Sequence, residues 1–215
     1  KKMNKFYITT PIYYVNDKPH IGHAYTTILA DVIARYNRLQ NKNVFFLTGL
    51  DEHGQKVQEA AKKIGLDPKT HCDNMAPRFK NLWDKLNISN DGFIRTTNSN
   101  HIKVVKEILK LVYKNGDIYK NVYEGLYSIS EERFITEKEA DSGDFRDIKK
   151  LKETNYFFKM SKYQDKLIKH INENPLFIQP EHRKNEILGF LKNPLNDLCI
   201  SRPKSRLNWG VELPF

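Results

Sequence analysis

The chain has 215 residues, 39% of them hydrophobic and 29% charged, a balance that suits a globular protein with a real core. No apolar run approaches the ~20 residues of a membrane-spanning helix, and the first residues lead directly into a strand-like stretch instead of a secretion signal. Two isolated cysteines, Cys72 and Cys199, argue for a reducing compartment and against a disulfide framework or a thiolate metal site, and the net charge of +10 leaves a polyanionic partner and a solvated lysine-rich surface equally open.

In chain order, Lys1 and Lys2 ahead of Met3 suggest that residues precede a usual start. Phe6 to Thr10 is short, β-branched and aromatic, which predicts a strand. Pro19-His20-Ile21-Gly22-His23 then opens a helix. Pro19 suits a first turn, and Ile21, Ala24, Ile28, Val32, Tyr36 and Leu39 repeat at helical spacing. A helix start has unpaired N–H groups and the positive end of the dipole, both of which attract phosphate. His20 and His23 lie on one side of that start, and Gly22 leaves the backbone open to close approach. The arrangement fits a triphosphate cradle, although a lone His-x-x-His is more often a pair of surface histidines.

Asn43 to Thr48 is a continuous apolar run with polar ends, as for a central parallel strand buried on both faces. Strand, helix and strand make a βαβ unit, and ligands in such sheets sit beyond the carboxyl ends of the strands. The segments Thr10 to Asn16 and Thr48 to Gly54 should therefore face each other across one crevice. Asp51-Glu52 is expected to begin a helix with Val57, Ala60, Ala61 and Ile64 on its apolar side, stopped by Gly65. Asp67-Pro68 caps the next, whose stripe is Cys72, Met75, Phe79, Leu82, Trp83 and Leu86. These read as core, with no chemistry for Cys72 or Trp83. Asn90-Asp91-Gly92 is a turn, Phe93 to Thr96 a third strand, and Ser99 the cap of a helix ended by Gly116. Beyond Gly116 the texture changes. Ile118 to Ile135 reads as strands and a hairpin, Glu137 to Lys152 as a charged loop, Tyr156 to Phe158 as a strand, and Lys162 to Ile171 and Glu181 to Leu191 as helices. This region is basic: Arg146 to Lys169 holds eight basic residues against three acidic, and His182 to Arg206 six Lys or Arg against two acidic. A basic insert beside an enzyme-like half suggests RNA.

His20-Ile21-Gly22-His23 resembles the first signature of the class I aminoacyl-tRNA synthetases. Thr10-Pro11-Ile12-Tyr13-Tyr14-Val15-Asn16 and Thr48-Gly49-Leu50-Asp51-Glu52-His53-Gly54 resemble the flanking elements of their methionyl branch. Tyr123 to Tyr127, Asn155 to Phe158, Ser201 to Arg206 and Trp209-Gly210 continue the likeness along nearly the whole chain. The resemblance implies an α/β fold: the first half of a Rossmann-like doubly wound parallel sheet over residues 1–116, then an inserted α+β connective domain over 117–215. It implies ATP, with Mg2+, as substrate, together with methionine and tRNA-Met, in the cytoplasm or an organelle, with no membrane. His20 and His23 would be catalytic and, with Gly22, bind ATP. Ile12, Tyr14 and Asp51 would bind methionine, Asp51 taking the ammonium group, although a helix N-cap is its other reading. His53 and Gly54 would orient the site.

Three departures matter. Lys159-Met160-Ser161-Lys162 spells most of the family's second signature but lies in the connective segment, so it receives no catalytic role. Ser128 and Glu131 stand where many relatives carry a Cys-x-x-Cys knuckle, so no zinc or other metal is expected. The chain stops at Leu213-Pro214-Phe215, where the nucleotide fold would resume, and Trp209 is assigned to the connective segment. The expectation is an amino-terminal part that does not turn over alone. A small-molecule nucleotidyltransferase with the same histidines, and a non-catalytic RNA-binding module, are the alternatives.

Overall fold

Apolar, β-branched segments at the start of the chain line up as a parallel sheet. In the computed structural model, which describes residues 4–131 and 133–215 and only the backbone of Tyr123, β1 (Lys5–Thr9) and β2 (Tyr13–Tyr14) lie end to end along one edge of β3 (Asn43–Asp51). Their registers with it run from Lys5↔Asn43 to Thr9↔Leu47 and from Tyr13↔Leu50 to Tyr14↔Asp51. β4 (Gly92–Arg95) pairs in parallel along the opposite edge. The Lys1–Met3 segment and the Tyr123 side chain of the family-like Tyr-Glu-Gly run lie outside the described residues.

Helix α1 (Ile21–Leu39) forms as expected, but the face that packs is not the apolar stripe. Thr27, Ala30, Asp31, Ala34 and Asn37 are buried, whereas Ile21, Ile28, Val32, Tyr36 and Leu39 are exposed. Small side chains let Ala30 and Ala34 pack closely on Phe46 of β3. The polar members of that face are satisfied locally. Asp31 accepts from the Ser89 backbone N–H at 2.7 Å and from Arg35 Nε at 2.7 Å. Asn37 donates to the Ile33 carbonyl at 2.8 Å.

α2 (Gln55–Lys63) begins after Gly54, so Asp51 closes a strand and the expected helix start at Asp51-Glu52 is overturned. α3 (Pro68–Lys85) carries the Asp67 cap read from the sequence, Asp67 Oδ1 accepting from Thr70 N–H at 3.0 Å. Its Cys72, Met75, Phe79 and Trp83 pack against Tyr13, Val15, Leu50 and Val57. Burial pushes the Cys72 thiol up to about 12, which leaves it an inert core residue. α4 (Ser99–Lys114) takes Ser99 into its first turn.

The basic region forms an antiparallel sheet. β5 (Ile118–Ser128) pairs with β6 (Arg133–Ile135) and, over its whole length, with β7 (Ile148–Phe158), which pairs in turn with β8 (Leu198–Cys199). The predicted charged loop is therefore mostly structured: it holds the short helix α5 (Glu137–Asp141) and the first half of β7. One face of that strand is solvated, so its lysines hide the alternation. After β7 come a 3₁₀ turn (Met160–Tyr163), α6 (Gln164–Glu173) and α7 (Glu181–Phe190). The signature-like lysine segment is braced within this sheet's own unit. Lys162 Nζ and Tyr163 Oη each donate to Asp117 at 2.6 Å, and Ser161 Oγ donates to Asp197 at 2.6 Å. Ser128 Oγ lies 2.9 Å from Ser130 Oγ and accepts the Glu131 N–H at 3.2 Å, a hairpin-turn role.

The chain divides into two compact units, Lys1–Ile108 with Leu207–Phe215, and Leu109–Arg206. The sequence reading divides it at residue 116 and gives the tail to the connective part; here the division falls inside α4 and the tail belongs to the first unit. Trp209 is the physical reason: its indole packs on the first unit's apolar cluster. Among the described residues, no helix is long and apolar enough to cross a membrane.

Candidate active site

The two histidines at the start of α1 cap it reciprocally. His20 is the N-cap residue, and its Nδ1 accepts the Gly22 N–H at 3.1 Å, while His23 Nδ1 accepts the His20 N–H at 3.1 Å. The rings stack with centroids 3.8 Å apart. A neutral imidazole has one donor and one acceptor nitrogen. With both Nδ1 atoms accepting, the protons reside on Nε2, and two N–H donors remain at the positive end of a helix. Gly22 belongs to this device, because a Cβ there would meet His20 Cε1 at 3.0 Å and Nδ1 at 3.1 Å and crowd the capping ring.

His23 also lies against Tyr13, at 4.7 Å between centroids, and Phe79, at 5.5 Å. Tyr13 Oη is 2.9 Å from Thr27 Oγ1, which donates to the His23 carbonyl at 2.9 Å. The adjacent Tyr14 is in register with Asp51, so the Tyr13–Tyr14 dipeptide joins the histidine end to the carboxylate end. Tyr14 is partly exposed with Lys56 Nζ 5.6 Å from its ring centroid, and Ile12 is exposed just ahead of β2. Gly54 takes φ 105°, a conformation side chains oppose, and lets the turn after β3 reverse into α2. His53 is half-buried with its ring 5.4 Å from that of Trp209. The loop ahead of α1 is held by buried His71, whose Nε2 is 2.7 Å from the Val15 carbonyl.

Burial lowers the His23 pKa from its ordinary 6.5, and the neighbouring His20 charge lowers it further. Burial also lowers that of His53, with the Glu52 charge opposing and His101 assisting. The His23 and His53 rings are thus biased toward the neutral form, which for His23 keeps its capping acceptor intact. A depressed histidine pKa means that the unfolded chain binds more protons, so stability is full above about 6.5 and is lost as pH falls through the folded-state values. The urea midpoint should therefore drop between pH 7.5 and 5.5, and His53→Gln should flatten that drop; an unchanged pH slope in His53→Gln would remove His53 from this account.

Among the described residues, no group of three or more His, Cys, Asp or Glu side chains could hold a metal ion. Two imidazole N–H groups at a helix start suit a phosphate, and the Asp51 carboxylate at the end of β3 suits an ammonium.

The family model described as tRNA synthetases class I (M) matches residues 6–144 and 145–215. The chain belongs to this class I tRNA synthetase family. It is 54% identical to the methionine–tRNA ligase of Clostridium tetani over 99% of this chain and 34% of that protein. It is 50% identical to the methionine–tRNA ligase of Thermotoga maritima over 97% of this chain and 34% of that protein. Mycobacterium tuberculosis methionyl-tRNA synthetase in complex with methionyl-adenylate superposes with a TM-score of 0.93 at 42% identity, covering 99% of this chain and 43% of that one. The chain spans about a third of the length of the curated relatives it matches.

Within this synthetase chain, sequence reasoning missed Tyr13, His71 and the Glu52–Arg95 pair. The pair had a signal: Glu52 is an acidic residue directly after an apolar strand, and Arg95 ends the next strand of the same sheet.

Proposed function

We propose that the chain is the amino-terminal catalytic part of a methionine–tRNA ligase. ATP, accompanied by Mg2+, and methionine form methionyl-adenylate and pyrophosphate, and the methionyl group then passes to the 3′-terminal ribose of tRNA-Met. The methionine carboxylate attacks the α-phosphate, so the protein needs no nucleophile of its own. Its task is positioning and stabilising developing negative charge. His20 and His23 supply Nε2–H donors to the phosphates, Gly22 lets the triphosphate approach the backbone, and the helix start adds its dipole. Asp51 accepts the substrate ammonium. Tyr14 and Ile12 line the place of the thioether, Tyr14 offering a ring face that sulfur favours. His53 and Gly54 fix the turn that presents Asp51. The observation that carries this reading is the reciprocal histidine cap joined through Tyr13 and Tyr14 to Asp51. Methionine–tRNA ligation by the relatives named above supports it.

The test is methionine-dependent exchange of pyrophosphate into ATP by the full-length polypeptide that carries this sequence. Exchange with methionine and with no other amino acid is expected. Asp51→Asn should raise the KM for methionine about 10- to 150-fold, the worth of a hydrogen bond to a charged group, ~1.5–3 kcal/mol. An unchanged methionine KM in that variant would sink the ammonium role. Binding of tRNA-Met without any exchange would favour the non-catalytic RNA-binding alternative.

A further inference from the structure

One buried polar cluster in the first unit has no place in the chemistry above, yet it surrounds the residue next to Asp51. Glu52 is fully buried. Arg95 Nε donates to its Oε1 at 2.6 Å, and Thr97 Oγ1 donates to its Oε2. The Glu52 backbone N–H donates to Thr96 Oγ1 at 2.9 Å, and its carbonyl accepts the Trp209 indole N–H. Arg95 has a second arm: its Nη2 donates to Asp73 Oδ1 on α3 at 2.7 Å. One guanidinium at the end of β4 thus ties the β3–α2 turn to α3.

A carboxylate stays buried only while paired and hydrogen-bonded. Side chains alternate along an extended chain, so anchoring Glu52 inward turns Asp51 to the other side. The backbone bonds from Thr96 and Trp209 prevent the turn from rotating about that anchor. The two-carboxylate grip requires donors that diverge in one plane, which arginine has and lysine lacks.

We propose that Arg95, acting through Glu52, is the positioning residue for Asp51 and so sets the affinity for the methionine ammonium group; this rests on the role of Asp51 proposed above. The experiment measures KM for methionine and for ATP separately, by pyrophosphate exchange in the full-length polypeptide, at a temperature where circular dichroism shows each variant folded. Arg95→Lys keeps one ion pair and loses the fork. It should raise the methionine KM about tenfold, since misplacement by about 1 Å can cost ~10², with the ATP KM within twofold. Thr97→Val, which removes one bond only, should shift the methionine KM in the same direction by less, and it carries the test if Arg95→Lys does not fold. The double variant Asp51→Asn/Arg95→Lys should lose no more than Asp51→Asn alone, because both act on one contact. A lower melting temperature with both KM values unchanged, or equal losses for methionine and ATP, would overturn the proposal. Weakened methionine binding in Asp51→Asn but not in Arg95→Lys or Thr97→Val overturns it alone, whereas no loss in Asp51→Asn overturns the underlying reading as well.

Discussion

Replacing His20 with Asn should slow adenylate formation about 10²–10³-fold, the effect of one lost transition-state donor, while leaving the fold intact. The two outcomes separate because His20 uses its two nitrogens differently. Nδ1 accepts the Gly22 N–H and caps α1. Nε2, left with the proton, is the atom proposed to reach the phosphates. Asparagine is among the best N-cap residues, and its short amide oxygen can take the Gly22 N–H, but nothing then reaches as far as Nε2. His20→Ala removes both functions and should lose about 1 kcal/mol of stability in addition. Urea midpoints and pyrophosphate exchange rates, measured on the same preparations, report the two effects separately. If His20→Asn exchanged at the parent rate, the ring would be a cap and no more, and the phosphate reading of the pair would fail. His23 is a less clean probe. Its ring fills space beside Tyr13 and Phe79, so its removal opens the core as well as the site.

Much of the first unit is legible in the sequence alone. The β1–α1–β3 unit is written in the strand-like Phe6 to Thr10, the Pro19 helix start and the apolar run Asn43 to Thr48, and the antiparallel sheet in the hairpin texture after Gly116. The proposed site could be read from the sequence because its residues are local: His20, Gly22 and His23 share one helix turn, and Asp51, His53 and Gly54 share one βα turn. What resisted reading depends on contacts distant in sequence. The apolar face of α1 looked like its packing face, since periodicity registers hydrophobicity and not closeness of approach. The buried face instead uses alanines, with Asp31 and Asn37 satisfied by partners that only the fold supplies, such as Ser89. Glu52 looked like a helix-start carboxylate because its partners Arg95 and Thr97 are more than forty residues away. The first half of β7 was hidden by charge: Lys150 and Lys152 share one solvated face of a strand whose partner is β5, and Lys149 is exposed on the other face.

Gly49→Ala should be the most damaging single methyl addition in the first unit, at about 3 kcal/mol or more. Gly49 is in register with Ile94 across the β3–β4 pair. A Cβ at this position would lie 2.2 Å from the Ile94 carbonyl oxygen and 2.5 Å from its Cγ2. Backbone cannot rotate aside as a side-chain tip can, so β4 would have to retreat along several residues. Gly92 in the same strand pair supplies the control. A Cβ there meets only Leu47 Cδ1 at 2.9 Å and Phe45 Cζ at 3.2 Å, both ends of mobile side chains. Alanine also restricts the unfolded chain, a gain of ~0.4–1 kcal/mol that applies at both sites, so Gly92→Ala should cost about 1 kcal/mol or less. Denaturation in urea should show the Gly49 variant's midpoint far below that of the Gly92 variant with the slope unchanged. The damage should extend to binding. β4 ends in Arg95 and leads to Thr96 and Thr97, the groups that hold Glu52 beside Asp51. A retreating β4 would loosen that turn, so whatever fraction of Gly49→Ala remains folded should bind methionine weakly while His20 and His23, at the start of α1, keep the grip on ATP proposed for them. Equal stability of the two alanine variants would show that β4 yields easily, and that the strand pair is not what keeps Asp51 in place.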